Sequence, residues 1–162
     1  MFIQDRMSRD LTDSLTAPGK DSMGEKMQAE KGQLVATAFD RLFAAAGVTD
    51  LRGRLFFAGA LAESSAAFLN AASQAGACSL VVAEELTAGK LAMRSGVVNF
   101  VVNTLDEALR ILKNEIRKRQ PVSVCVVGSV SEIIAEMKER GVRPDLAFAE
   151  VPDVGGKIII RP

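Results

Sequence analysis

Short apolar runs alternate with amphipathic segments along most of this 162-residue chain. The runs contain few polar positions and lack the every-second-residue alternation of a strand that faces water on one side. Strands of this kind are covered on both faces, which is typical of a parallel sheet between two layers of helices. The runs that we predict as strands are 55–58, 79–83, 97–102, 122–127, 146–149 and 157–160.

The amphipathic segments between these runs predict the helices. Two capping-box sequences, Thr104-Leu105-Asp106-Glu107 and Ser129-Val130-Ser131-Glu132, each open a helix. Together the pattern predicts an α/β fold with three layers, in which a Rossmann-like, doubly wound and mainly parallel sheet has the strand order 3-2-1-4-5. The predicted helices cover 33–46, 64–74 and 88–93, and two more begin at Thr104 and Ser129.

Residues 1–32 differ from the rest of the chain. They are polar, and their few apolar residues follow no sustained period. We therefore predict a flexible N-terminal arm over 1–32 and one domain over 33–162. The alternative is that apolar residues of the arm dock on a partner subunit: Phe2, Ile3, Leu11 and Leu15.

The composition excludes several classes of partner and of catalytic site. Twenty Lys and Arg balance twenty Asp and Glu, so the basic excess of a nucleic-acid-binding protein is missing. The chain has no His, Tyr or Trp, which excludes Ser–His and Cys–His nucleophile pairs and His metal ligation. Cys78 and Cys125 lie in separate apolar runs and are interpreted as buried free thiols. No apolar run has the length of a membrane span or a signal peptide, so we expect a cytoplasmic protein with no membrane partner.

The loops after the strands form the candidate site, because ligands of open parallel sheets bind at the carboxyl ends of the strands. These loops are 59–65, 83–85, 102–104, 128–129 and 149–153. The cofactor-binding candidates within them are Gly59, Ala60, Leu61, Glu63, Ser64, Ser65, Glu84, Glu85, Gly128 and Ser129. The pattern indicates no catalytic pair and no metal cluster.

Two groups of candidates have alternative interpretations. Glu84 and Glu85 follow the first glycine by about 25 positions, near where a dinucleotide site places its ribose-binding acid, but they also fit a solvated strand end. The hydroxyls of Ser64, Ser65 and Ser129 fit ligand contacts, but helix capping is the favoured interpretation.

Several segments resemble urocanase. The closest are Gly76-Ala77-Cys78-Ser79-Leu80, Leu105-Asp106-Glu107-Ala108-Leu109 and Arg140-Gly141-Val142-Arg143-Pro144-Asp145-Leu146. Gly59 matches the start of the family's glycine-rich turn, and Gly128 falls on its Gly-Asn-Ala-Ala-Glu stretch. The resemblance covers 33–150 and implies a Rossmann-like domain that binds NAD, which urocanase uses as an electrophile to hydrate urocanate.

The chain departs from the family's pattern at the loops. Where urocanase has Gly-Leu-Gly-Gly-Met-Gly-Gly-Ala-Gln-Pro, this chain has Gly59-Ala60-Leu61-Ala62-Glu63-Ser64-Ser65-Ala66-Ala67-Phe68. Leu61 fills volume that a glycine leaves for pyrophosphate, and Glu63 adds a negative charge there. Ser129 replaces an Asn, and 147–153 replace a polar stretch. The resemblance therefore implies weakened NAD binding, and anion binding at the helix start is weakened but not excluded.

We expect a stand-alone urocanase-like domain that binds a nucleotide, a dinucleotide or a small anion. The segments that form urocanase's second domain have no counterpart in these 162 residues, so we expect no urocanase activity from the chain alone. The alternative is a non-catalytic interaction or regulatory module that kept the scaffold and lost the ligand. In that case apolar surface in the arm and in 154–160 would serve the contacts of a homo-oligomer.

Overall fold

A computed structural model describes residues 18–148 and 157–159, with side chains described for 29, 30, 32–148 and 159. The chain divides into two compact units, 1–34 and 35–162. The predicted loop 149–153 and the apolar segment 154–156 lie outside the described residues. In chain order the elements are α1 (Pro18–Ala46), β1 (Leu55–Ala60), α2 (Glu63–Gln74), β2 (Cys78–Ala83), α3 (Leu86–Arg94), β3 (Phe100–Val102), α4 (Leu105–Lys118), β4 (Val122–Val127), α5 (Val130–Glu139), β5 (Leu146–Phe148) and β6 (Lys157–Ile159).

The first helix differs from its prediction at one end. It begins at Pro18 and not at the predicted Gln33, so this helix includes part of the segment predicted as an arm. A proline fits the first turn of a helix because the N–H that it lacks would have no partner there. The other end is confirmed, since Gly47 takes a φ of 75° and its N–H donates to the Phe43 carbonyl at 2.8 Å. Whether 1–32 moves as an arm stays a prediction.

The strands form one six-stranded sheet in the order β3-β4-β2-β1-β5-β6, and every neighbouring pair is parallel. The Rossmann-like α/β class is confirmed, but the predicted order 3-2-1-4-5 is wrong. In the observed sheet β4 lies between β3 and β2, and β5 pairs with β1. The apolar runs carry no information about which strand lies next to which, because all of them are buried in the same way.

The connections place helices on both faces of the sheet. The chain moves toward one edge from β1 through β2 to β3, and back toward the other edge from β3 through β4 to β5. Right-handed crossovers then put α2 and α3 on one face and α4 and α5 on the other. Contacts agree, because Phe68 of α2 packs edge-to-face on Phe148 of β5, with ring centroids 4.9 Å apart. On the other side, Arg140 after α5 donates to Asp106 of α4 at 3.0 Å.

This arrangement defines where the sheet opens. The neighbouring strands β2 and β4 lead into helices on opposite faces, so the topological switch point lies between their carboxyl ends. The Gly128 N–H, directly after β4, donates to the carbonyl of Ala83 at the end of β2 at 2.9 Å. The predicted order would instead have placed the switch point between β1 and β4.

The core consists of the two strand faces and the inner sides of the helices. Its largest fully buried side chains are aromatic and aliphatic, and they come from both layers of helices as well as from the sheet. They are Phe56, Phe57, Phe68, Phe148, Leu42, Leu51, Leu69, Leu80, Leu105, Leu112, Met137 and Leu146. Burial of this apolar surface is the main force that holds the layers together.

The third strand is shorter than predicted. The run 97–102 was predicted as one strand, but only Phe100–Val102 pairs with β4. The first half of the run turns after α3, with Gly96 at a φ of 82° and the Val97 N–H donating to the Ala92 carbonyl at 2.9 Å. Asn99 then accepts the Ser123 N–H on its side-chain oxygen at 2.8 Å, which anchors the turn to β4.

Candidate ligand-binding site at the carboxyl edge of the sheet

The candidate residues follow three neighbouring strands. Those from Gly59 to Ser65 lie at the end of β1 and the start of α2, Glu84 and Glu85 follow β2, and Gly128 and Ser129 follow β4. Because β4, β2 and β1 are adjacent in the sheet, the structure brings all three groups to one stretch of the carboxyl edge. The loop 149–153, predicted to join them, lies outside the described residues.

The glycine turn that we predicted after β1 lies within the strand itself. Gly59 was predicted to end β1, but the strand continues to Ala60, with an irregular register between Phe57 and Ala60. Gly59 is buried and takes a φ of 69°, a left-handed conformation that a glycine adopts without strain. The Leu61 N–H then donates to the Val82 carbonyl at 2.7 Å. This backbone donor therefore completes the sheet and does not point at a ligand.

The start of α2 is closed by its own serine. Ser65 is fully buried; its hydroxyl accepts the Ala62 N–H at 2.8 Å and donates to the Ala62 carbonyl at 2.7 Å. The Ser65 N–H also donates to the Ala62 carbonyl, at 3.1 Å. Of the two interpretations of Ser65, the geometry favours the helix cap. Glu63 and Ser64 are exposed on the first turn, and the Glu63 carboxylate complements the helix dipole there.

A cavity of about 310 Å³ opens between the ends of β1 and β2 and the start of α3. Its walls are formed mostly by small or apolar side chains, and the carboxylates of Glu84 and Glu85 are its charged groups. Both glutamates are exposed, and Glu85 is the N-cap residue of α3 without a side-chain capping bond. The lining residues are Ala60, Leu61, Val82, Ala83, Glu84, Glu85 and Ala88.

The start of α5 is built differently from the start of α2. The predicted capping box at Ser129 is wrong in its hydrogen bonding, because the Ser129 side chain makes no capping bond to the helix. Its hydroxyl lies 3.0 Å from the hydroxyl of Ser131. The predicted cap at Thr104 is confirmed, because the Thr104 hydroxyl accepts the Glu107 N–H at 3.2 Å. The Glu107 carboxylate reaches one residue further back than a capping box requires and accepts the Asn103 N–H at 3.2 Å.

Sequence reasoning missed two residues of the cavity wall. Val82 was treated only as strand interior and Ala88 only as the start of a helix, whereas Ala83 belongs to the predicted loop 83–85. The signal for Ala88 is its neighbour Gly89, which is buried; a Cβ there would lie 3.1 Å from Val101 Cγ1. Such close packing of α3 on the sheet brings Ala88 to the cavity.

The two cysteines are unsuited to nucleophilic chemistry. Burial raises the pKa of the Cys125 thiol to about 11, and burial also raises the pKa of Cys78. Both thiols are therefore protonated at neutral pH, and the thiolate is the nucleophilic form. Within the described residues no group of His, Cys, Asp and Glu could hold a metal ion. No described helix has both the length and the apolar character of a membrane span.

The parallel sheet, its two helical layers and the cavity at the carboxyl edge define a Rossmann-like domain. The family model of the urocanase Rossmann-like domain matches residues 33–150, well over half of the chain. The chain belongs to this family. In the full urocanase enzyme this domain binds NAD.

The residues present fit one part of NAD and not another. The carboxylates of Glu84 and Glu85 are suited to accept hydrogen bonds from ribose hydroxyls. A pyrophosphate needs backbone or hydroxyl donors at the glycine-rich turn, but the Leu61 N–H and the Ser65 hydroxyl already have protein partners. The Leu61 side chain lines the cavity at this place. The residues of the site therefore suit a ribose better than a pyrophosphate.

Proposed function

We propose that the carboxyl edge of this domain binds a nucleotide, a dinucleotide such as NAD or another small anion, and that the chain alone has no urocanase activity. The observation that carries this proposal is the cavity of about 310 Å³ at the ends of β1 and β2, beside the switch point. Its volume is at the lower end of the roughly 300–1,000 Å³ of small-molecule sites. The position is the one where doubly wound sheets bind their ligands.

The same geometry supports weak binding of NAD. Leu61 stands where the urocanase pattern has a glycine, and its side chain is half-buried against the core. A pyrophosphate at the start of α2 would meet this side chain and the charge of Glu63. Both effects oppose binding of the phosphates while they leave the ribose-binding carboxylates in place.

A calorimetric titration tests the proposal directly. NAD, ADP-ribose and AMP are titrated into the full chain, and in parallel the protein is incubated with NAD and urocanate. We expect heat of binding from at least one of the three compounds, with dissociation constants well above the micromolar range for NAD, and no loss of urocanate. Turnover of urocanate would contradict the absence of activity, and silence in all three titrations would contradict the binding site.

A second candidate function is a non-catalytic interaction module, and an exposed apolar surface favours it. Leu86, Leu91 and Met93 of α3 are exposed by 44%, 63% and 43%, and Phe100 of the edge strand β3 by 47%. An apolar patch formed by these side chains would be typical of a protein contact. This function predicts a homo-oligomer.

Light scattering after gel filtration tests this second candidate. If α3 carries a subunit contact, the wild-type chain is larger than a monomer and Leu91→Asp shifts it to the monomer. Val48→Asp is the matched control, because Val48 is exposed by 43% in the loop after α1. A monomeric wild-type chain at all concentrations would contradict the interaction module.

A further inference from the structure

Three donors that a phosphate could meet at this edge are already bonded within the protein. Besides the Leu61 N–H and the Ser65 hydroxyl, the Gly128 N–H at the switch point donates to the Ala83 carbonyl at 2.9 Å. A phosphate that approached these groups would have to break sheet or cap hydrogen bonds. Each such break leaves a backbone group without its partner, which disfavours the phosphate.

The charge around the cavity has the wrong sign for a phosphate. Glu84 and Glu85 line the cavity, and Glu63 lies on the first turn of the adjacent helix. No Lys or Arg is among the cavity-lining residues in the described part of the chain. The lining carboxylates would therefore repel an incoming phosphate, and none of the lining residues supplies a cation to offset this repulsion. Carboxylates instead accept hydrogen bonds from hydroxyl groups.

We infer that this cavity recognises the nucleoside part of its ligand and disfavours the phosphates, so that a free ribonucleoside binds more tightly than the corresponding monophosphate. The inference rests on the proposed binding function and names the chemical class of the ligand. Ribose hydroxyls donate to Glu84 and Glu85, and the base lies against the small and apolar walls formed by residues such as Ala60 and Ala88. A cavity of about 310 Å³ suits one nucleoside better than a whole dinucleotide.

The start of α5 is a neighbouring place where a phosphate has an alternative. The Ser129 and Ser131 hydroxyls contact each other there and do not cap the helix. Neither residue lines the cavity, so a nucleoside in the cavity places no group on them by itself. If a phosphate nevertheless binds at α5, the monophosphate gains affinity and Ser129→Ala removes that gain.

The test compares each of the four common ribonucleosides with its own 5′-monophosphate by calorimetry on the full chain. We expect at least one nucleoside to bind, at least about threefold more tightly than its monophosphate at low salt. The difference should shrink at high salt, because it arises from charge repulsion that salt screens.

Matched variants assign the effect to the cavity. Glu84→Gln combined with Glu85→Gln should weaken nucleoside binding by about tenfold, because two charged acceptors become neutral. The same change should weaken monophosphate binding less. Glu139→Gln is the control, since Glu139 is exposed on α5 and does not line this cavity; we expect no change.

The two proposals fail in different ways. If monophosphates or NAD bind and no nucleoside binds more tightly than its monophosphate, the nucleoside inference is wrong and the proposed binding function stands. If no nucleoside, monophosphate or dinucleotide binds, both are wrong. A control variant Glu139→Gln that weakens binding as much as the double variant would also contradict the inference.

Discussion

Helices α2 and α5 begin at the same edge of the sheet, and each has a serine at or near its N-cap. The two serines differ in the hydrogen bonds that their hydroxyls make. The Ser65 hydroxyl of α2 is buried and bonded to both backbone groups of Ala62. The Ser129 hydroxyl before α5 makes no capping bond and contacts Ser131. The same residue type therefore closes one helix start and leaves the other without a side-chain cap.

This difference shows that a hydroxyl near a helix start is a ligand candidate only when it is not already hydrogen-bonded to the backbone. At α2 the cap, the Leu61 N–H bond to Val82 and the Leu61 side chain together replace the groups that a glycine-rich turn would offer to phosphates. At α5 the N-cap residue Ser129 has an extended backbone, and its hydroxyl contacts the hydroxyl of Ser131.

The two helices also differ in how they are attached to the domain. α2 buries five residues, among them Phe68, whereas α5 buries Ile133 and Met137. At the end of α5, Arg140 instead makes exposed ion pairs with Asp106 and Glu136, at 3.0 and 3.2 Å. Exposed pairs of this kind contribute little to stability compared with apolar burial.

The largest effect is expected from removing the aromatic side chain that attaches α2. Phe68→Ala should lower the free energy of unfolding by about 3–5 kcal/mol, because Phe68 is fully buried against Phe148 and its removal leaves a cavity. Leu91→Ala, at a residue exposed by 63%, is the control and should change it by less than about 0.5 kcal/mol. Urea unfolding measures both. Equal effects of the two variants would contradict the packing described for α2.

A smaller effect should separate the two serines. Ser65→Ala should lower the free energy of unfolding by about 1–2 kcal/mol, because the Ala62 N–H and carbonyl lose a buried partner. Ser129→Ala should change it by less than about 0.5 kcal/mol, since the Ser129 side chain makes no capping bond. The same urea experiment compares them, and a larger loss for Ser129→Ala would reverse the comparison between the helix starts.

The smallest effect concerns the ion pairs at α5 and depends on pH. Hydrogen bonding from Arg140 and the charge of Arg110 hold the pKa of Asp106 below its ordinary value. A carboxyl with a lowered pKa stabilises the folded state above the unfolded pKa, about 3.9, and this contribution is lost as the pH falls through the folded pKa.

Melting temperatures measured across pH for wild type and Asp106→Asn test this effect. The wild type should melt slightly higher at neutral pH, and the difference should decrease below about pH 4. The difference should also decrease in high salt, because Asp106 and Arg140 are exposed. A difference that grows as the pH falls would have the wrong sign for this ion pair.

Elements that depend on local residues were predicted well. The apolar run at β4 matches the observed strand Val122–Val127, and Thr104 caps α4 with the partner that the sequence spacing indicates. Capping at α2 was not predictable in the same way, because its N-cap residue is Ala62, which has no polar side chain. The cap is instead formed by the Ser65 hydroxyl, which bonds to the backbone N–H and carbonyl of Ala62.

Features that depend on distant parts of the chain were predicted poorly. The order of the strands was wrong because strand pairing is set by packing between runs of similar composition, such as β2 and β4. Consequently the switch point lies between β2 and β4, and not between β1 and β4 as predicted. The candidate site is therefore centred on Glu84 and Glu85 after β2, and not on Gly59 in β1. The family resemblance was predicted from residues and is confirmed over 33–150.

The central claim is that the start of α2 is closed to a pyrophosphate, and one titration tests it most directly. NAD is titrated into wild type, Leu61→Gly, Glu63→Gly and the double variant, each first shown by thermal unfolding to be folded. The double variant removes both the side chain that fills the turn and the like charge beside it. We predict that it binds NAD at least about tenfold more tightly than wild type, which corresponds to about 1.4 kcal/mol. Micromolar binding of NAD by the wild-type chain, unchanged in the double variant, would contradict the account.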